Sequence, residues 1–268
     1  MGWISVVVAV VCGALAAGVI VPAMGKRTQL KSMLAAAWAV LAAALFALAQ
    51  QFVTPALQAR YDASRLDDSL AGNATFAALK KHDPQTYERM MSGLRDGLMK
   101  GRDKTELVES MRNEMTTLVQ KRLPMASDEA ATEYMRVMVQ EMGELRRQSG
   151  DLCYRFLFGG PDKRLDLTRY VSANTIEADS AALSQVVRSS TLSPQAVPQQ
   201  TDVAPKLQPV VAALHGRYGG DLALLQNPQA PGVDRDKLCS ISIDMYSVIL
   251  QMPPADSGKL IRYLMGQN

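Results

Sequence analysis

The chain has 268 residues, 48% of them hydrophobic, with 29 Lys and Arg against 26 Asp and Glu. Lys26, Arg27 and Lys31 are the only charged side chains in the first 59 residues, so the remaining basic residues balance the acidic ones to zero. That balance excludes a nucleic-acid footprint, which gathers positive charge on the working domain.

Two uncharged apolar stretches flank the basic island at 24–32. Crossing the ~30 Å hydrocarbon core takes about 20 apolar residues in a helix, and each stretch suffices. Residues 1–58 therefore read as a transmembrane hairpin with spans at about 3–23 and 33–57. The first stretch lacks the basic start of a cleaved signal peptide, so both spans are expected to be retained. Lys and Arg in short loops stay cytoplasmic, and only Arg60 and Arg65, interleaved with three Asp, follow the second span. The expectation is a bacterial inner-membrane protein with its N-terminus and C-terminal domain in the periplasm. Gly13 with Ala17, Ala14 with Gly18, and the alanines of the second span give small faces for close approach. Hairpin self-packing is the first reading of those faces, and a homo-oligomer contact the second.

Beyond residue 58 the signals are helical. A stalk at 57–70 precedes a short helix at about 75–81. Asp83 then caps a helix with Pro84 at its first position, and Gly101 stops it. Asp103 opens the next helix with Glu106 in the reciprocal place of a capping box, and Pro124 ends it. Ser127 opens a third, in which Ala131, Met135, Met138, Met142 and Leu145 keep a heptad-like spacing opposite a Glu and Arg face. DLCYRFLFGG, 151–160, is a compact apolar segment before a turn, and a further helix is predicted from about Asn174 to Ser189. Residues 191–209, with four prolines and four glutamines among 190–209, read as a linker or long surface loop. Residues 210–268 supply C-terminal helices expected to pack on the 59–190 domain. No segment alternates with period two, so the whole is all-α: a two-helix hairpin followed by a bundle-like helical domain.

Cys153 and Cys239 are the only cysteines in the extramembrane part. An even pair in an oxidising compartment favours a disulfide, and closing so long a loop contributes on the order of 4 kcal/mol. Two unrelated buried thiols are the alternative.

The chemistry-bearing residues are few. His82 and His215 have no His or Cys at ligand spacing, so no metal and no cofactor are expected. The 15 methionines fall at core positions of amphipathic helices, which favours core filling over a soft-metal or partner surface. VESM, with Glu109-Ser110, and GLMK, 97–100, resemble the glutamate-serine and glycine-leucine-methionine boxes of lytic transglycosylases, in reversed order. The resemblance implies Glu109 as a single catalytic glutamate acting on the cell wall.

The leading expectation is a periplasmic domain that binds another envelope protein as an assembly, scaffold or inhibitor component. Contact surfaces are expected at Tyr154, Phe156 and Phe158 or at the proline-rich loop, with core completion the alternative for the aromatics. The competing expectations are a cell-wall hydrolase using Glu109 and a membrane-tethered sensor domain.

Overall fold

A computed structural model describes residues 54–159 and 165–267. The expected spans and basic loop, with Lys26, Arg27 and Lys31, lie outside the described residues except for 54–57. Among the described residues no helix is long and apolar enough to cross a membrane. There are no strands among them either, so the described fold is all-α.

The helices are α1 Thr54–Ser64, α2 Leu66–Leu70, α3 Ala74–His82, α4 Pro84–Met99, α5 Lys104–Arg122, α6 Asp128–Gln148, α7 Gly150–Phe158, α8 Ala173–Leu192, α9 Gln200–Tyr218, α10 Arg235–Leu250 and α11 Pro254–Met265. The stalk is thus helical as α1 and α2, and the apolar segment after Ser149 is helical as α7. The chain divides into two compact units, Met1–Asp67 with Ser92–Leu107, and Asp68–Met91 with Val108–Asn268.

In the first unit Arg95 donates to Asp67 over 2.7 Å, and Lys100 pairs with Asp96 one turn back at 2.8 Å. Gly101 has φ +66°, a left-handed conformation that ends the helix at the place the sequence marks for it.

In the second unit the local signals act as expected. Asp83 Oδ1 accepts from Thr86 N at 3.3 Å, and Ser127 Oγ accepts from Ala130 N at 3.2 Å. Asn73, Ser149, Ser172 and Asp234 likewise accept from the first turns of α3, α7, α8 and α10. The central helix is α6, which touches α7, α8, α10 and α11. Its Ala131, Met135, Met142 and Leu145 are fully or almost fully buried. Around them Leu123, Val186, Val203, Val210, Ile249 and Leu260 close one core cluster. Met142, Leu145, Cys153, Val171 and Cys239 form another. Met90 and Met91 are also buried, in keeping with core filling, whereas Met99 stands 60% exposed.

The proline-rich stretch departs from the sequence reading. Helix α8 runs on to Leu192, only residues 193–199 are irregular, and α9 contains Pro205 and Pro209. Each proline removes one ladder bond from a helix. Four apart, the two share one face, and both are exposed, so the freed carbonyls meet water. On the buried side Val203, Val210 and Leu214 enter the core. Burying three aliphatic side chains at about 1.5–3 kcal/mol each outweighs the loss. Gln199 N donates to Asp202 Oδ2 at 2.8 Å and secures the start of this helix.

The seam of α6 with α11 needs a glycine. A Cβ on Gly258 would run into the backbone of Asp128. Close approach lets Arg262, 3% exposed, donate to Pro124 O at 3.0 Å, Asp128 Oδ1 at 2.8 Å and Ala196 O. One cation thereby ties three segments together.

Candidate functional site

Helices α6 and α8 run antiparallel in a register set by their polar contacts. Ser127 N donates to Ser189 Oγ at 3.2 Å, Gln140 Nε2 to Thr175 Oγ1 at 2.7 Å, and Ser172 N to Glu144 Oε2 at 2.6 Å. By that register Asp179 falls opposite Arg136 and Val137, one turn from both Tyr134 and Glu141. Tyr134 and Glu141 are buried, and Asp179 is half-buried.

The three differ from the rest of the seam in having no hydrogen-bond partner among the described residues. Burial pushes Glu141 up to about 8, and the charges of Asp179 and Glu144 add to the effect. Burial pushes Asp179 up to about 6. The Tyr134 hydroxyl is held well above its ordinary value, first by burial and then by the two carboxylates. Three residues along, Glu144 does the opposite. It accepts from Ser172 N, Ser172 Oγ and Thr175 Oγ1, and those bonds lower it. The seam therefore joins a proton-holding end to an ionised one.

Two surface features lie elsewhere. A polar cleft of about 400 Å³ is lined by Arg146, Arg217, Asp236, Lys237 and Asp244 among others. Its cations are paired: Arg146 with Asp236 at 3.4 Å and Arg217 with Asp244 at 2.6 Å inside the cleft, and Lys237 with Asp221 at 2.9 Å beyond its lining. An open apolar groove of about 640 Å³ runs along α9, with Leu207, Val211, Ala212 and His215 on one wall and Tyr263 of α11 on the other. Val211 is half exposed there.

The expected site residues fall as follows. Cys153 and Cys239 are joined as a disulfide, with Cα atoms 5.9 Å apart. Beside it Gly150 sits against the Asp236 backbone, Asp151 pairs with Arg235, and Arg235 lies over the Tyr154 ring at 4.8 Å. Tyr154 is buried, its hydroxyl donates to Pro228 O at 3.1 Å, and its ring meets Phe158 at 5.4 Å. Phe156 packs on the disulfide cluster. Tyr154 thus contributes to the core, while Phe156 and Phe158 are half-buried. Glu109 is half-buried on α5, within electrostatic reach of Arg112 one turn on. His82 and His215 lie apart on α3 and α9, and no group of three His, Cys, Asp or Glu among the described residues could hold a metal ion.

Glu141 and Asp179 escaped the sequence reading, which put the glutamates of α6 on its solvated face. A signal was present: Glu141 has Val137 and Met138 one turn before it and Leu145 one turn after, all facing inward. No known protein family, characterised protein or solved structure matches the chain.

Proposed function

We propose that the chain is a bacterial inner-membrane protein whose N-terminal hairpin presents the helical body to the periplasm, where it binds another envelope protein. The observation that carries this reading is the Cys153–Cys239 disulfide across α7 and α10. Structural disulfides form and persist in oxidising compartments and are rare in the cytosol. The same placement follows from the three basic residues between two uncharged stretches, since cationic loops stay inside. Two independent features, one covalent and one electrostatic, thus favour the same side of the membrane.

Binding without chemistry is the activity that fits the body. The folded part carries balanced charge, and its polar cleft is closed by its own ion pairs. The α9 groove is the open apolar surface that remains for a partner.

The test has two arms. A phosphatase that needs an oxidising compartment, fused after Asn268, should be active, and a cytosolic fluorescent fusion should be dark. The reverse pattern would refute the topology. A photo-crosslinker at Val211 in intact cells should then capture one discrete partner that a crosslinker at Glu109 does not. Equal capture from both positions would refute the assignment of the groove.

A further inference from the structure

We propose that Tyr134, Glu141 and Asp179 form a proton-operated latch between α6 and α8, closed while the two carboxyls carry protons and released as they lose them to solvent. The geometry carries the inference. The register of α6 against α8 places Asp179 one turn from both Tyr134 and Glu141. Glu141 is 3% exposed, and none of the three groups has a hydrogen-bond partner among the described residues. Two carboxyl groups so placed disfavour joint ionisation, because Glu141 is buried and a second negative charge would face it across the seam.

The surrounding charges are engaged elsewhere: Arg136 of α6, opposite Asp179 in the register, is exposed and pairs with Glu133. On α11, Arg262 is committed to Asp128. On α7 and α10, Asp151 is held by Arg235, Asp236 by Arg146, and Asp244 by Arg217. Glu177 and Arg188 of α8 are exposed, as are Lys80 and Lys81 of α3, which packs on the far side of α8. The groups that act electrostatically on Glu141 are Asp179 and Glu144, both acidic. His82 ends α3 and serves as the control position on that helix.

Release has a defined path. Helix α8 carries α3 with it, through Thr75 Oγ1 donating to Ser180 O at 3.0 Å and Thr75 N to Ser180 Oγ at 3.2 Å. Helix α6 stays fixed by α11 and by the disulfide-clamped pair α7 and α10. Loss of the protons therefore weakens the hold on α8 and α3 together and makes their opening easier. The proposal concerns the folded body alone and stands whichever side of a membrane that body occupies.

The test is amide hydrogen exchange on the full-length chain in mild detergent between pH 5.5 and 8.5, corrected for intrinsic rates. A proton held by the closed state and not by the open one makes opening up to tenfold easier per pH unit. Protection of α8 and α3 should therefore fall at least tenfold across the range, while α10 and α11 change little. Glu141→Gln should flatten the dependence, Asp179→Asn should shrink it, and His82→Gln should leave it as in the wild type. A flat wild-type profile would overturn the proposal, as would an unchanged slope in both carboxyl variants or its loss in His82→Gln. If Glu141→Gln fails to fold, Asp179→Asn decides alone.

Discussion

Arg262 and Glu141 are equally hidden, each 3% exposed in the body that α6 organises, yet their surroundings are opposite. Arg262, on the α6–α11 seam, spends its donors on one carboxylate and two backbone carbonyls. Glu141, on the α6–α8 seam, meets another acid and a phenol. A buried charge persists only when it is paired and hydrogen-bonded, and otherwise the group takes its neutral form. The α11 side of the body is therefore a fixed clamp, and the α8 side is held on condition of protonation.

The largest test of that contrast is Arg262→Met. It leaves Asp128 and two carbonyls without their donor and should cost about 3–5 kcal/mol in urea unfolding. A loss below about 1 kcal/mol would abolish the distinction between the seams.

Glu141→Gln should act in the other direction and depend on pH. Unfolded glutamate releases its proton near pH ~4.3, whereas the folded group keeps it to about 8. Between those values the folded chain binds the extra proton, so stability is fullest in acid and declines as pH rises through 8. The variant should be more stable than the wild type by about 2 kcal/mol at pH 8, with the gap closing by pH 4. The figure is kept below the full linkage value because the new amide also lacks a partner.

Gly258→Ala tests the clamp through its backbone. With Asp128 in the way, the added methyl should cost about 1–3 kcal/mol at any pH. A pH-dependent loss would show that the two seams are not separate.

The smallest effect is expected at Glu144→Gln. Glu144 anchors the start of α8, and losing that charge-assisted cap should cost about 1 kcal/mol at pH 7. Its lowered value gives the reverse sign: the contribution is present above the unfolded value and disappears as pH falls through the folded one. Stability curves of Glu141→Gln and Glu144→Gln should thus both approach the wild type in acid and depart from it in opposite directions as pH rises.

The helices with caps were legible in the chain. Asp83-Pro84, Ser127 and Gly101 specify local backbone geometry, and a cap works the same way whatever packs nearby. Helix α9 was not legible, because Pro205 and Pro209 are strong local signals against it. Only the burial of Val203, Val210 and Leu214 reverses them. The aromatics Tyr154, Phe156 and Phe158 were ambiguous for a related reason. An apolar cluster beside a turn reads alike whether it meets a partner or its own chain, and for Tyr154 it is the chain's own Pro228 and Arg235 that lie against it.

The sequence by itself determined the helical character of the chain, most of the element starts, the inward face of α6 and the pairing candidates Cys153 and Cys239. These follow from periodicity, caps and counting, which act over a few residues or on composition. Tertiary structure alone decided that Gly258 lets α11 approach α6, that Arg262 finds three acceptors, and that Glu141 faces Asp179. Each of those depends on which residues far apart in the chain are brought near one another, and the free energy of a buried charge is set by such neighbours, not by its place along the chain.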